Sequence, residues 1–112
     1  MSTLRAQQLR RAYYAAVTHT DQLIGTLITQ LATLGVEKQT AVVVVGDHGY
    51  QLGEHDSWCK KTNWELGVRV PYIIKVPWMP ESQGARTSVL AEMVDLYPTL
   101  ASATKMHTGP TA

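Results

Sequence analysis

The chain has 112 residues, 45% of them hydrophobic and 17% charged, with a formal net charge of +1. That length fits one modest domain or a piece of a larger one, and the composition is that of a globular chain rather than a disordered one. Its 10 basic and 9 acidic residues form no single-sign block, which argues against nucleic acid, a membrane surface or a polyanion as partner.

From about Thr3 to Leu34 the sequence reads as one long amphipathic helix. Leu9, Ala12, Tyr13, Ala16 and Val17, then Leu23, Ile24, Leu27, Ile28, Leu31 and Leu34, recur at helical spacing and share one stripe. Met1 to Arg11 is polar and lacks the apolar run of a signal peptide. Arg5, Arg10 and Arg11 read as a solvated helix face. Of Tyr13 and Tyr14, one is expected to pack and the other to stay half exposed. No proline interrupts the stretch, and Gly35 suits a left-handed C-cap.

After a polar turn at Glu37 to Thr40 comes Ala41-Val42-Val43-Val44-Val45. This run is far too short to span a bilayer. It predicts a strand buried on both faces, the pattern of a central parallel strand. A helix leading into such a strand implies an α/β layered sheet. Gly46 to Lys61 follows as a polar, glycine-punctuated loop. Thr62-Asn63-Trp64-Glu65 fits a capping box opening a short helix that Gly67 closes. Val70 to Val76, with Pro71 near its start, predicts a second buried strand. Pro77 to Arg86 reads as a loop. Asp95 is placed to cap a helix from Leu96 to Thr104, with Pro98 in its first turn. The tail from Lys105 to Ala112 is polar and expected to fray.

The chemistry concentrates at Val43-Val44-Val45-Gly46-Asp47-His48-Gly49. In open α/β sheets ligands bind beyond the carboxyl ends of strands. A carboxylate buried there is costly unless a cation satisfies it. A divalent metal does so directly, with Asp47 giving oxygen and His48 nitrogen or an outer-shell contact. Taken alone, Asp-His-Gly is short and common, and it reads better as a turn cap with a histidine packed over it.

The residues downstream change that balance. Gly46 through His55, then Trp58-Cys59-Lys60, then Arg69-Val70-Pro71-Tyr72-Ile73-Ile74 resemble the sulfatase family of the alkaline phosphatase superfamily, and within it the iduronate-2-sulfatase-like members. Arg11 to Val17 and Met93 to Leu100 match further segments of that family in the same order, so the resemblance runs from about Leu9 to Ala103.

The resemblance implies a partial alkaline-phosphatase-like layered sheet, the carboxyl-terminal part of a catalytic domain filling residues 1–112. It implies that Asp47 and His48 form half of a calcium site and that Lys60 contacts the substrate sulfate. Tyr50 would line the substrate pocket, while Glu54 and His55 would shape the loop. A lone lysine is more often a solvated one; its place after Gly-Glu-His and Trp58 is what distinguishes Lys60. The substrate would be a sulfated sugar or glycosaminoglycan-like ester, and the compartment lysosomal, periplasmic or secreted.

The family's formylglycine nucleophile arises in a Cys-x-Pro-Ser-Arg motif. Cys59, the single cysteine, lies in Trp-Cys-Lys-Lys-Thr and reads as a free thiol, which leaves no catalytic nucleophile in these residues. The nucleophile and the acid pair completing the calcium site are expected in a missing amino-terminal part, and this segment alone is expected to be inactive. Two other readings stand beside this one. One is a zinc- or manganese-dependent phosphodiesterase or phosphomutase of the same superfamily. The other is a non-catalytic remnant or binding module.

Overall fold

The computed structural model describes residues 1–106. They fall into two compact units, one spanning Met1–Trp78 and a second starting at Met79.

The first unit opens with α1, Thr3–Thr33. Ser2 caps it, its hydroxyl accepting from the Arg5 amide at 3.4 Å. At the far end Gly35 takes φ +70°. Its N–H donates to Ala32 O, and the Val36 N–H donates to Leu31 O. That pair of bonds is a Schellman cap, which a glycine at this position makes cheap. The helix thus begins and ends where capping chemistry dictates.

Its packing is less complete than the stripe predicts. No α1 residue is buried. Leu9, Tyr13, Ile24 and Leu31 are half-buried, whereas Leu23 and Leu27 remain 54% and 66% exposed. No described helix is long and apolar enough to cross a membrane.

Strand β1, Val42–Val45, pairs antiparallel with β4, Tyr72–Lys75. Val42 faces Lys75 and Val45 faces Tyr72. The expectation of a central parallel strand buried on both faces is therefore corrected: the partner runs the other way, and all four valines are half-buried. A run of β-branched residues reports affinity for a sheet, not its neighbour's direction. β4 alternates between half-buried and exposed, with Val76 just beyond it buried.

Between these strands lies a small hairpin. Its strands β2, Gln51–Leu52, and β3, Trp58–Cys59, pair antiparallel, Gln51 with Cys59 and Leu52 with Trp58. The helix α2 is one turn, Glu65–Val68. The predicted capping box at Thr62 does not form: Trp64 is the N-cap and no side chain caps it. Gly67 lies inside the turn and is buried.

In the second unit, a 3₁₀ turn at Met93–Asp95 leads into α3, Leu96–Ala103. The Asp95 carboxylate does not cap α3. It reaches back to accept from the Glu92 amide at 3.1 Å, closing a capping box on the 3₁₀ turn instead. Ala101 is the buried residue of α3. Lys105, at φ +56°, and Met106 close the helix through bonds to Ser102 O and Ala101 O. The rest of the expected tail, residues 107–112, lies outside the described residues. Among the described residues, two small antiparallel sheets and three α-helices make a mixed helix-and-sheet structure.

Candidate active-site corner

The end of β1 is fixed from two sides. The Gly46 N–H donates to Pro71 O at 3.1 Å, extending the ladder one residue past Val45. The Gly49 N–H donates to Gly67 O at 3.0 Å. A methyl group on Gly49 would run into the Leu66 carbonyl oxygen, so this close approach requires glycine. Asp47 and His48 are thereby held on a short bridge between the sheet edge and α2.

The His48 ring is oriented by its own neighbours. Nδ1 lies 2.8 Å from Gly49 O, and Nε2 lies 2.7 Å from Lys60 Nζ. A carbonyl oxygen only accepts and an ammonium only donates. These two contacts together assign a neutral imidazole, with the proton on Nδ1 and the Nε2 lone pair accepting from Lys60. Asp47 Oδ2 is 3.4 Å from the same Nε2. In that tautomer the Asp47 contact is no ion pair. The Nε2 lone pair is taken by Lys60, so the Asp47 carboxylate is the free oxygen donor of the trio and His48 stands beside it in an outer position.

The structure thus brings together Asp47, His48 and Lys60. It does not bury the carboxylate: the Asp47 side chain is 88% exposed and that of His48 34%. The burial argument for a metal at Asp47 is corrected accordingly, since water already solvates the charge. Among the described residues, no group of three or more His, Cys, Asp and Glu side chains stands close enough to hold a metal ion.

Lys60 sits on a strained bend. Cys59 and Lys61, on either side of it, have φ +73° and φ +78°. For non-glycine residues that left-handed conformation costs roughly 1–2 kcal/mol each. Strain of this kind persists only where surrounding contacts impose it, and it clusters at functional positions.

Tyr50 lines an apolar groove. Its ring stacks on Tyr13 at 5.0 Å between centroids, 29° between planes. Its hydroxyl donates to Cys59 Sγ at 3.2 Å. That bond, with a further electrostatic contribution from the same sulfur, raises the phenol pKa above its usual value. With Leu9, Leu52 and Trp58 the two tyrosines wall an open groove of about 390 Å³. Cys59 is an exposed free thiol. Tyr13 packs while Tyr14 stays exposed, as the sequence suggests.

Two contributors escape the sequence reading. Arg10, which reads as a solvated helix residue, donates from Nε to Leu52 O at 2.8 Å and sets its guanidinium 5.9 Å from the Trp58 ring centre. It ties α1 to the hairpin. Gln51 is fully buried and its Nε2 donates to Thr62 Oγ1 at 2.7 Å. A polar residue between Tyr50 and Leu52 in a two-residue strand was the available signal.

The loop supports follow. The Glu54 carboxylate accepts from the Leu52 amide at 2.6 Å. That bond and one from its own amide hold its pKa below the ordinary carboxylate range, with smaller help from Arg10 and His55. His55 stacks flat on Trp64 at 4.2 Å.

The family model described as Sulfatase matches residues 2–106. The chain belongs to the sulfatase family. It is 34% identical to an ulvan-active sulfatase of Formosa agariphila over 86% of its own length and 19% of that protein. It is 29% identical to the iduronate 2-sulfatase of Homo sapiens, over 93% of the chain and 23% of the relative. For the arylsulfatase K of Bos taurus the figures are 32%, 84% and 17%. The chain therefore spans about a fifth of the length of these curated sulfatases. No solved structure matches it.

Proposed function

We propose that this sulfatase segment supplies one wall of the active centre of a sulfuric-ester hydrolase. Lys60 would carry the sulfate and Asp47 with His48 would form part of a calcium site. One observation carries the reading: Lys60 Nζ is 2.7 Å from His48 Nε2, which is 3.4 Å from Asp47 Oδ2. A carboxylate, an imidazole and an ammonium share one exposed corner.

The chemistry follows from the groups. As the sulfate ester bond breaks, negative charge grows on the departing oxygen and stays on the sulfuryl oxygens. An ammonium held in advance beside them lowers that cost without reorganising. The strained bend around Lys60 supports such preorganisation, because a freely solvated lysine needs none.

The donor set fits calcium only in part. Calcium takes six to eight oxygen ligands; the Asp47 carboxylate offers at most two of them, and His48, its lone pair held by Lys60, would make an outer-shell contact. The remaining ligands, like the formylglycine nucleophile, would come from a further segment of the domain. When bound, the cation would withdraw charge from the sulfate oxygens. The bare apolar flank of α1 at Leu23 and Leu27 is where that further segment would pack. The substrate class is a sulfated sugar or glycosaminoglycan-like ester, in line with the iduronate named in the human relative. The sulfatase names of all three relatives favour this reading over a phosphodiesterase or phosphomutase.

The test uses a polypeptide joining this segment to one that bears a Cys-x-Pro-Ser-Arg motif. Lys60→Ala should cut sulfate release about 10²–10³-fold in kcat, with calcium affinity unchanged. Asp47→Asn should weaken calcium binding instead. Unchanged turnover in Lys60→Ala removes the role assigned to it.

A further inference from the structure

The bend bearing Lys60 is gripped at both ends by a single residue. Cys59, at φ +73° on one flank of Lys60, pairs with Gln51 across the hairpin. Thr62, just beyond Lys61 at φ +78°, accepts a hydrogen bond from the Gln51 side-chain amide at 2.7 Å. Gln51 has 0% exposure, so water does not compete for that bond.

The grip continues to the other arm of the corner. A methyl group on Gly67 would lie 2.7 Å from Thr62 Oγ1 and 2.8 Å from Thr62 O, so Thr62 is seated directly on Gly67. The Gly67 carbonyl in turn accepts from the Gly49 amide at 3.0 Å, next to His48. Gln51, Thr62, Gly67 and Gly49 thus link the backbone carrying Lys60 to the backbone carrying His48.

This is a poor arrangement for stability alone. Gln51 Oε1 is buried with no hydrogen-bond partner among the described residues. Burying an amide with half its capacity unmet is unfavourable, and an apolar residue of similar shape would avoid the penalty. The amide gives something a leucine cannot: a directed bond to the end of a strained bend.

We propose that Gln51 is a positioning residue that holds the Lys60 ammonium against His48. The proposal rests on the reading of Lys60 as the sulfate-holding group, and its test is independent of sulfate chemistry. The measurement is the NMR cross-relaxation between the Lys60 ε-methylene and the His48 ring in the 112-residue chain, with a Val43–Ile74 contact as reference for the sheet. Gln51→Leu and Thr62→Val should each reduce the Lys60–His48 signal by half or more and leave the reference signal intact. Thr62→Ser, which keeps the hydroxyl, should retain it, and the double variant should lose no more than either single one.

Retention of the signal in Thr62→Val overturns the proposal. Thr62→Val decides alone if Gln51→Leu does not fold, because it changes one oxygen to a methyl group at the edge of the bend. A signal that depends on Gln51, together with normal turnover in Lys60→Ala, would sink the sulfate reading and leave the positioning role standing.

Discussion

Gly49→Ala puts the strictest demand on the geometry of the corner. The added methyl group would collide with the Leu66 carbonyl oxygen, lie 2.8 Å from its carbon and approach Gly67 C to 3.2 Å. All three are backbone atoms, so no side chain can rotate out of the way. Relief requires the bridge to move off α2, which breaks the Gly49–Gly67 hydrogen bond of 3.0 Å. Losing that bond costs about 0.5–1.5 kcal/mol, and forcing extra volume into a closed contact costs about 1–3 kcal/mol. The expected loss is therefore roughly 2–4 kcal/mol, a large part of a typical domain's stability. Urea titration followed by tryptophan fluorescence measures it, Trp58 and Trp64 both lying near the corner. Gly25→Ala serves as the opposite control. It sits inside α1 with nothing within 4 Å of the added methyl, and it should gain about 0.5–1 kcal/mol from helix propensity. A Gly49→Ala loss below about 0.5 kcal/mol would mean that the bridge does not press on α2, since even the hydrogen bond alone is worth that much.

Two further outcomes follow from the loop contacts. Arg10→Met keeps the aliphatic stem but removes the bond to Leu52 O and the guanidinium over Trp58. It should cost about 1–2 kcal/mol in the same titration, and a neutral result would detach α1 from the hairpin. Glu54 titrates below its ordinary value in the folded chain. The unfolded chain therefore binds the proton first as pH falls. The stabilisation is complete above the ordinary glutamate pKa and disappears as pH drops through the lower folded value. Glu54→Gln should flatten that acid limb of the stability profile, and an unaltered limb would show the Leu52 bond to be idle.

Much of this fold is legible in the sequence where local chemistry decides it. Ser2, the helical repeat and Gly35 set both ends of α1, because caps and periodicity act within one turn. Sheet direction is not legible in that way. Four valines announce a strand, but β4 runs antiparallel because of how the segment between Gly46 and Pro71 returns, and no local residue encodes that. Asp95 shows the same limit on a smaller scale: a good cap residue caps whichever turn is nearer, here the 3₁₀ turn rather than α3.

The corner divides along similar lines. Asp47 and His48 are readable because they end a strand and flank glycines. Lys60, twelve positions after His48, is brought beside it only by the Gln51–Cys59 register. Residue chemistry alone leaves Lys60 as one lysine among several; the family resemblance singled it out. Arg10 and Gln51 are illegible in the sequence for one reason. Polar side chains are assigned to solvent by default, and only their distant partners, Leu52 O and Thr62 Oγ1, reveal otherwise.

The convergence of Lys60 on His48 is the claim on which the functional reading stands. Nitrogen-15 NMR of the His48 imidazole at neutral pH tests it most directly. The expected spectrum is that of a ring protonated on Nδ1, with an Nε2 signal shifted by hydrogen bonding, and that signature should vanish in Lys60→Met. A ring protonated on Nε2, or a spectrum indifferent to Lys60→Met, would contradict it.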